Sequence, residues 1–462
     1  MTGKRMNRRQ FVVSVTAAAT AASAAAATAS TISIPDYVRP SALGLGGRTA
    51  PSDRFVMGFI GTGGKGQHNV GVFLDSADVQ VVAVNDVETS HRESARNTVN
   101  ERYKNKDCGC FADYGEMLDS AKFDAVGVST PDHWHALASI AALNHNAHVY
   151  CEKPLANSVA EGRAMVAAAK RSNRLIQCGS QERSNDSVRL ACEQVRNGKI
   201  GKVHTVEINL PTDESHHLKV MAQTTMAEVQ KVPDGFDYDS WLGYTPWREY
   251  RPFMADEPDR GCHFWWRFNV LYGGGEMTDR GAHIIDLAQL GLGMDETGPV
   301  SISAKGKRAQ GGAFDAFFDF SFENVYANGT KLIGSTNAPR GLKFIGEDGW
   351  IMVHIHGGRL EASDPRLIDP ADAKDNKISI GRSPGHHQNF LDCIKSGKQP
   401  VASGEIGHRT GTICHLNNIA MKLGRPLKWN PEAEKFINDD EANKLLAPPK
   451  RAWLGGANSL PF

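Results

Sequence analysis

Three ionisable side chains have the types and the spacing that could move a proton at a substrate hydroxyl. Asp279 and His283 lie four residues apart in the stretch 276–290, whose pattern predicts one helix, so the two would share a helix face. A histidine titrates near neutrality and can accept a hydroxyl proton, while a neighbouring aspartate can orient a substrate or favour the imidazolium. Lys153 carries only donors and could polarise a carbonyl or orient a hydroxyl. A surface Asp–His pair and an exposed lysine are the alternatives that these residue types leave open.

The lysine belongs to the segment 151–154, Cys-Glu-Lys-Pro, which directly follows a predicted strand beginning at His148. Proline ends a strand and restricts the residue before it, so a lysine here is held in place. Ligands of parallel sheets collect at the carboxyl ends of the strands. We therefore expect Glu152 and Lys153 to border a bound cofactor.

A dinucleotide fingerprint lies earlier in the chain. The segment 61–66, GTGGKG, follows a predicted strand at 55–60 and precedes a predicted helix. Glycines in this context allow a tight turn and let backbone N–H groups approach a pyrophosphate at the positive end of a helix. Cofactor contacts are accordingly predicted at Gly61, Gly63, Gly64 and Gly66.

Two further segments at the same sheet edge favour a bound NAD. Asp86 ends the second predicted strand, where a carboxylate can accept hydrogen bonds from ribose hydroxyls and would repel the 2′-phosphate of NADP. An ordinary strand-end aspartate is the alternative. The segment 130–135, Thr-Pro-Asp-His-Trp-His, follows the third strand, so Thr130, Pro131 and His135 are predicted to contact the cofactor. A histidine there could instead simply cap a helix.

The order of elements predicts an α/β chain with two domains. Strands alternate with helices over residues 54–180, which predicts a Rossmann dinucleotide-binding domain with a parallel sheet. Over residues 181–430 few helices separate the strands, which predicts an α+β domain with a large, mostly antiparallel open sheet for substrate binding and oligomerisation. Residues 431–462 are rich in Pro, Asp and Lys and are expected to form a C-terminal arm.

The N-terminus predicts export. Residues 7–12, Asn-Arg-Arg-Gln-Phe-Val, have the twin-arginine pattern, and an alanine-rich run leads to a small-residue cleavage site at 27–29. We therefore predict a signal peptide at 1–30, a linker at 31–53 and a periplasmic or otherwise exported protein. A transmembrane anchor is the alternative, but the run is too weakly apolar for a stable span.

Composition narrows the range of partners. The chain has 462 residues with 52 Lys and Arg against 52 Asp and Glu, so no overall field favours nucleic acid. The eight cysteines form no CxxC pair, and no metal site is predicted. Long loops carry Trp241, Trp247, Trp265 and Trp266, which could stack on a sugar ring or fill a core. Trp265 and Arg267, and with them His263, are the expected substrate contacts.

Taken in order, these motifs resemble the Gfo/Idh/MocA family of oxidoreductases. The resemblance covers most of residues 54–430 and is specific at the site, where Lys153, Asp279 and His283 match the catalytic set of its inositol-dehydrogenase branch. It implies that the segment 130–135 lies against the nicotinamide and ribose. It also implies a homo-oligomer in which open sheets pack face to face.

The sequence and the resemblance together lead to three functional hypotheses. The first is an exported oxidoreductase that passes hydride from a hydroxyl of a sugar, polyol or glycoside to NAD. Because free NAD is scarce outside the cytoplasm, the cofactor would stay tightly bound and an unknown electron acceptor would reoxidise it. The second is a redox-neutral glycosidase that works through a keto-sugar. The third is a sugar-binding protein without catalysis, against which the presence of Lys153, Asp279 and His283 argues.

Overall fold

The structure, a computed structural model, describes residues 49–211, 215–254, 256–257, 260–308, 311–356 and 358–451. The predicted signal peptide, most of the predicted linker and residues 452–462 of the predicted arm lie outside the described residues. The chain from Ser52 onward forms one unit, which contains two β-sheets.

The first sheet is the parallel sheet that the alternating strands and helices predict. Its strands are β1 (Phe55–Ile60), β2 (Val79–Asn85), β3 (Gly109–Phe111), β4 (Ala125–Val128), β5 (His148–Cys151) and β6 (Ile176–Cys178). All five pairings are parallel, and the strands lie in the order β3-β2-β1-β4-β5-β6. In sheets of this order a dinucleotide lies across the carboxyl ends of the strands, where the order reverses between β1 and β4.

Helices connect these strands. They are α1 (Gly64–Asp75), α2 (Thr89–Tyr103), α3 (Tyr114–Ser120), α4 (Asp132–Asn144) and α5 (Val159–Ser172). Asp113 and Ser158 begin α3 and α5, since each side chain accepts a hydrogen bond from the backbone N–H three residues on. Alternate strand residues enter different hydrophobic clusters, as Phe59 and Ile60 of β1 do, so both faces of the sheet are packed.

The second sheet has nine strands and is mostly antiparallel, as predicted. Its strands are β7 (Val203–Asn209), β8 (Ser301–Arg308), β9 (Phe317–Val325), β10 (Lys331–Ser335), β11 (Gly341–Gly346), β12 (Trp350–His354), β13 (Leu360–Ala362), β14 (Leu427–Asn430) and β15 (Lys435–Phe436). They lie in the order β13-β12-β11-β7-β10-β9-β8-β14-β15. Only β7 and β10 pair in parallel among the described strands of this sheet.

The second domain has nine described helices, some of which cover one face of this sheet. The helices are α6 (Asp186–Arg196), α7 (Ser215–Ala222), α8 (Tyr238–Leu242), α9 (Gly261–Phe264), α10 (Glu276–Asp279), α11 (Gly281–Leu292), α12 (His386–Ser396), α13 (Gly404–Leu423) and α14 (Asp440–Asn443). Val188 of α6, Ile284 of α11 and Ile413 of α13 share one core with the strands. On β10, Leu332 enters this core whereas Ile333 is exposed, so the opposite face of the sheet is open.

A long insertion separates β7 from α10. The described part of the insertion, which spans residues 211–275, consists of loops, the short helices α7, α8 and α9, and a 3-10 turn at Trp265–Phe268. Its interior is a cluster of large side chains that includes Phe236, Trp241, Tyr272 and, from β9, Phe318. Aromatic packing therefore replaces regular backbone pairing as the main support of this segment.

Two predictions about elements differ from the structure. The helix predicted at 276–290 is divided at Arg280, where the N–H of His283 bonds back only three residues, to the Arg280 carbonyl. Gly281, a weak helix former, follows the break. Asp279 therefore ends α10, and His283 lies in the first turn of α11.

The second difference concerns the predicted C-terminal arm. Within its described part, residues 431–451, β15 and α14 are packed, with Phe436 and Ala442 buried in the main core. Glu434 is also ion-paired with Arg163 of α5 at 2.7 Å. This part of the segment is thus integral to the fold rather than an arm.

Candidate active site

The turn between β1 and α1 shows why the fingerprint needs glycine at two positions. Gly61 has a positive φ of 79°, which side chains disfavour. A Cβ on Gly66 would lie 2.1 Å from the carbonyl oxygen of Gly61, so α1 can approach the turn only without a side chain there. No atom outside its immediate surroundings lies within 4 Å of the Cβ position of Gly64, so this side of the turn is open to a ligand. The N-terminus of α1 is thereby available to a phosphate.

Asp86 lies at the end of β2, where its carboxylate is held by backbone donors. Oδ2 accepts the N–H of Thr62 at 2.7 Å, and Oδ1 accepts the N–H of Glu88 at 2.9 Å. Each oxygen keeps a further lone pair for a ribose hydroxyl. His91 Nδ1 is 3.6 Å from Oδ2. Burial opposes a charge on this imidazole, but the hydrogen bond and charge of Asp86 outweigh it and raise the pKa of His91.

A strap from the insertion covers the loop that follows Asp86. We define the strap as residues 233–241. Its Gly235 carbonyl accepts both the N–H and the hydroxyl of Thr89, at 2.9 and 2.8 Å, and the N–H of Asp237 donates to the Val87 carbonyl at 3.1 Å. Farther along the insertion, the ring of His263 lies 4.5 Å from that of His91. The two domains are therefore joined at the end of the site where Asp86 lies.

A cleft of about 1180 Å³, open solvent included, lies between the carboxyl edge of the first sheet and the insertion. Most of the predicted site residues line it, namely Gly61, Gly63, Gly64, Asp86, Thr130, Pro131, His135, Glu152, Lys153, Arg267 and Asp279. Gly66, Trp265 and His283 are not among its lining residues. The insertion contributes Phe236, Ser240, Trp241, Cys262, His263 and Trp266.

His135 braces two turns of the cleft wall. Its Nδ1 is 2.8 Å from the Pro154 carbonyl and its Nε2 is 3.0 Å from the Thr130 carbonyl. Burial lowers the pKa of this histidine, and a neutral imidazole has one N–H to donate. The ring thus lies between Thr130 and the segment that carries Lys153.

Glu152 connects the segment that carries Lys153 to the fingerprint. The buried carboxylate accepts hydrogen bonds from Asn69 of α1 at 2.9 Å and from Gln181 at 3.2 Å. Lys65 of the fingerprint lies 3.6 Å away. Glu152 therefore fixes α1 relative to the end of β5.

Lys153 and Asp279 form an ion pair across the cleft. Lys153 Nζ is 2.5 Å from Asp279 Oδ1 and donates to the Asp279 carbonyl at 3.0 Å. Burial disfavours the ammonium, but attraction to Asp279 outweighs it and raises the pKa of Lys153. Burial likewise disfavours the carboxylate, yet Lys153 and Arg267 hold the pKa of Asp279 well below its usual range. Both groups are charged at neutral pH.

Arg267 is the second cation beside Asp279, with its Nε 3.8 Å from Oδ2. Its guanidinium lies 4.5 Å from the ring of Trp266, and both residues line the cleft. The predicted substrate contact at Trp265 needs correction, because Trp265 is 0 % exposed and packs in the aromatic cluster. Trp266 has the position predicted for Trp265. Trp241 also lines the cleft, whereas Trp247 is 59 % exposed.

His283 lies beside the cleft, half-buried, at the start of α11. Its Nδ1 is buried without a hydrogen-bond partner among the described residues. Burial and the positive charge of Lys153 lower its pKa well below 6.5, against the opposing attraction of Asp279. The imidazole is thus neutral at neutral pH and able to accept a proton.

Asp132 is a cleft residue that the sequence analysis did not select. It is buried in the first turn of α4, and burial raises the pKa of its carboxyl group well above the ordinary value, although Lys153 acts in the opposite direction. Its neighbours His133 and Trp134 both donate to the Trp241 carbonyl, at 2.8 and 2.9 Å. The sequence feature that could have identified Asp132 as a site residue is its place inside the segment 130–135 at the sheet edge.

Within the described residues, no three His, Cys, Asp or Glu side chains are grouped to hold a metal ion. In the same part of the chain, no helix has both the length and the apolar character that a membrane span requires.

Two curated relatives of this chain are both named dehydrogenases. Levoglucosan dehydrogenase of Pseudarthrobacter phenanthrenivorans is 34 % identical over 92 residues, 20 % of this chain and 24 % of that protein. Inositol 2-dehydrogenase 3 of Saccharopolyspora erythraea is 31 % identical over 174 residues, 37 % of this chain and 49 % of that protein. The chain thus spans about a quarter to a half of the length of these curated relatives.

Solved structures show the same fold. The WlbA dehydrogenase of Bordetella pertussis, in complex with NADH and UDP-GlcNAcA, has a TM-score of 0.59 at 17 % identity over 82 % of this chain and 99 % of that one. The aldose-aldose oxidoreductase of Caulobacter crescentus, complexed with glycerol, has a TM-score of 0.57 at 19 % identity over 81 % and 99 %.

Family models match nearly the whole described chain. The model described as the oxidoreductase family's NAD-binding Rossmann fold matches residues 55–180. The model described as the oxidoreductase family's C-terminal alpha/beta domain matches residues 184–455. The chain therefore belongs to the Gfo/Idh/MocA oxidoreductase family, with an NAD-binding Rossmann domain followed by the family's C-terminal α/β domain.

Proposed function

We propose that the protein oxidises a hydroxyl group of a sugar, polyol or glycoside while NAD is bound in the cleft. The observation that carries the proposal is the partly buried Lys153–Asp279 ion pair at the carboxyl end of β5, with the neutral His283 beside it. When bound, NAD⁺ supplies an acceptor for hydride at its nicotinamide ring. The residues of the chain must then hold the substrate and take up its proton.

Lys153 and Asp279 suit the task of holding the reacting hydroxyl. The ammonium has three donors, of which the carboxylate and the carbonyl of Asp279 occupy two. The remaining donor can bind the substrate oxygen and stabilise negative charge as the proton leaves. Asp279 keeps Lys153 charged and can accept a hydrogen bond from a neighbouring hydroxyl. Arg267, beside the flat face of Trp266, adds donors for a polyhydroxylated ring.

His283 is proposed as the base that accepts the hydroxyl proton. Replacing His283 with Gln should lower nicotinamide reduction about a hundredfold or more, because general-base catalysis is lost. NAD content should stay unchanged, since none of the predicted cofactor contacts involves His283. The test mixes holoenzyme with a panel of sugars and polyols and follows reduced-nicotinamide absorbance. The surface variant His204→Gln is the control, and near-normal reduction by His283→Gln would sink the assignment.

The pH dependence gives a second check on this base. Because burial and Lys153 lower the pKa of His283 below the ordinary 6.5, the imidazole stays unprotonated into the acidic range. Protonation removes the base, so kcat/KM should fall as the pH drops through that lowered pKa and should be level just above 6.5. A half-maximal point above 6.5 in the wild type would contradict the assignment.

The proposal includes a cofactor that stays bound. The strap pairs with the loop after Asp86 through three hydrogen bonds, so the adenosine end of the cofactor would leave only after these break. The twin-arginine pattern at 7–12 supports export of the folded protein with its NAD. The sugar would then be oxidised by a protein that keeps its NAD. The acceptor that restores NAD⁺ would react with the same protein. Denaturing a purified sample and quantifying the released nucleotide tests retention; a sample free of nucleotide would contradict it.

Retention also supports a second candidate, a redox-neutral glycosidase that oxidises a ring hydroxyl, eliminates the aglycone, adds water and reduces the product. A cofactor closed beneath the strap suits a cycle that ends with NAD⁺ restored. Product analysis on a glycoside separates the two. A lasting rise in reduced nicotinamide with a keto-sugar supports the dehydrogenase, and cleavage without net reduction supports the glycosidase.

The open face of the nine-stranded sheet supports a homo-oligomer. On β10 the outward residues Lys331 and Ile333 are exposed, and a partner sheet could cover them. Light scattering at micromolar concentration tests this; a monomer would contradict it.

A further inference from the structure

His283 has a neighbour on the side away from the cofactor cleft. The imidazole of His356 meets that of His283 edge to face, with ring centroids 5.7 Å apart and planes at 79°. His356 follows β12 and has a positive φ of 60°, which is uncommon for a histidine. Its side chain is 49 % exposed. The fold thus places an imidazole between His283 and solvent.

Glu182 fixes the orientation of this second imidazole. Its Oε1 accepts the backbone N–H of His356 at 3.3 Å and lies 3.4 Å from the ring Nδ1. Oε2 of the same carboxylate is buried with no hydrogen-bond partner in the described structure. Glu182 belongs to the 3-10 turn that follows β6, so its position is set by the first domain. A carboxylate that binds one ring nitrogen leaves the other to exchange a proton.

The surroundings of His283 make a second acceptor useful. When it takes the hydroxyl proton it becomes an imidazolium, which burial, Lys153, His356 and Lys65 disfavour and which Asp279 favours. The proton must therefore leave before the next turnover. The cleft side offers the charged Lys153, which already holds its protons. The side facing His356 leads to water.

We infer that His356, positioned by Glu182, carries the proton from His283 to solvent. The inference rests on the proposed function, in which His283 is the base. In that reaction the C–H pair of the substrate leaves as hydride for NAD⁺, and the O–H pair becomes the second bond of the carbonyl. The O–H proton passes to His283, then through one water to His356, and then to bulk solvent. No further oxidant or reductant is needed.

The test follows two signals after holoenzyme is mixed with substrate in weakly buffered solution. Reduced-nicotinamide absorbance reports hydride transfer, and a pH-indicator dye reports release of the proton. In wild type the two traces should coincide. The variant His356→Asn is chosen because Asn tolerates a positive φ. In it, the rate of proton release reported by the dye should be about tenfold or more below the rate of nicotinamide reduction, and added imidazole should restore the rate of proton release. His204→Asn serves as the control.

Each outcome separates the relay from the underlying function. Coincident traces in His356→Asn, without an effect of imidazole, would overturn the relay. If His283→Gln still reduces nicotinamide at the wild-type rate, the proposed base fails and the relay fails with it. If wild type reduces nicotinamide with no member of the panel, the proposed oxidation fails.

A readout without turnover then decides whether the two rings are coupled. NMR titration of holoenzyme imidazoles should show a higher pKa for His283 in His356→Asn, because a positive charge beside it is gone. Glu182→Gln should broaden or shift the His356 signal and produce a smaller lag of the dye trace. An unchanged His283 titration in His356→Asn would overturn the coupling.

Discussion

The two walls of the cleft are supported in different ways. On the Rossmann side, backbone geometry sets the shape: Gly61 turns the chain, Gly66 admits α1, and Asp86 is held by two backbone donors. On the insertion side, loops are held by packed aromatic rings and by the three bonds of the strap. The first wall depends on positions where even one added carbon is excluded. The second depends on many contacts, each of which is modest.

Gly66 gives the sharpest test of the rigid wall. Gly66→Ala puts a Cβ 2.1 Å from the carbonyl oxygen of Gly61. Because this oxygen belongs to the backbone, it can move away only if the whole turn opens. NAD binding should then be lost. Thermal unfolding and nucleotide content after purification measure the effect. Gly71→Ala on the same helix is the matched control, since among the described residues no atom beyond its own stretch of helix lies within 4 Å of its Cβ position. That variant should gain up to about 1 kcal/mol in free energy of unfolding. Retained NAD in Gly66→Ala would contradict the argument.

Lys153 tests the chemistry between the walls. Lys153→Met keeps the length of the side chain but removes its donors, so nicotinamide reduction should fall about a hundred- to a thousandfold. Asp279 would lose its main partner and its pKa would rise toward or above the ordinary value, because the charge of Arg267 is then the largest remaining influence that opposes burial. Initial rates and bound NAD measure both effects. The exposed Lys170→Met is the control, and a loss below tenfold in Lys153→Met would argue against the role.

The sequence predicts the Rossmann wall better than the insertion wall, because the first is shaped by backbone geometry and the second by side-chain packing. The glycines and Asp86 were predictable because a turn, a strand end and a helix start constrain neighbouring residues through the backbone. Trp265 and Trp266 are adjacent in a loop, and which of them faces the cleft depends on the packing of the whole insertion. The predicted helix is divided at Arg280, just before Gly281, and a periodic pattern of apolar residues does not reveal such a break.

The contacts of His356 and Glu182 near His283 are harder still to predict from the sequence. His356 follows β12 and Glu182 follows β6, and no local motif connects them. They meet only because the second sheet packs beside the end of the first domain's chain. A sequence shows which residue types are available for proton transfer, and the fold decides which of them are neighbours.

A substitution at the strap should give the smallest effect on NAD retention, because it removes one hydrogen bond between the insertion and the Rossmann side. Thr89→Val removes the hydroxyl bond to the Gly235 carbonyl but keeps the backbone N–H bond to the same oxygen. It also removes the bond that the hydroxyl accepts from Arg92 at 2.8 Å, but that bond lies within α2 and does not reach the strap. Losing one neutral hydrogen bond costs about 1 kcal/mol, so bound NAD should be released about fivefold faster. Thr98→Val on the same helix, whose hydroxyl bonds only within α2, is the matched control. Release is measured by trapping freed NAD with an excess of a nucleotide-consuming enzyme. If both variants release NAD at the wild-type rate, the strap does not limit exchange, and retention must come from the rigid wall alone.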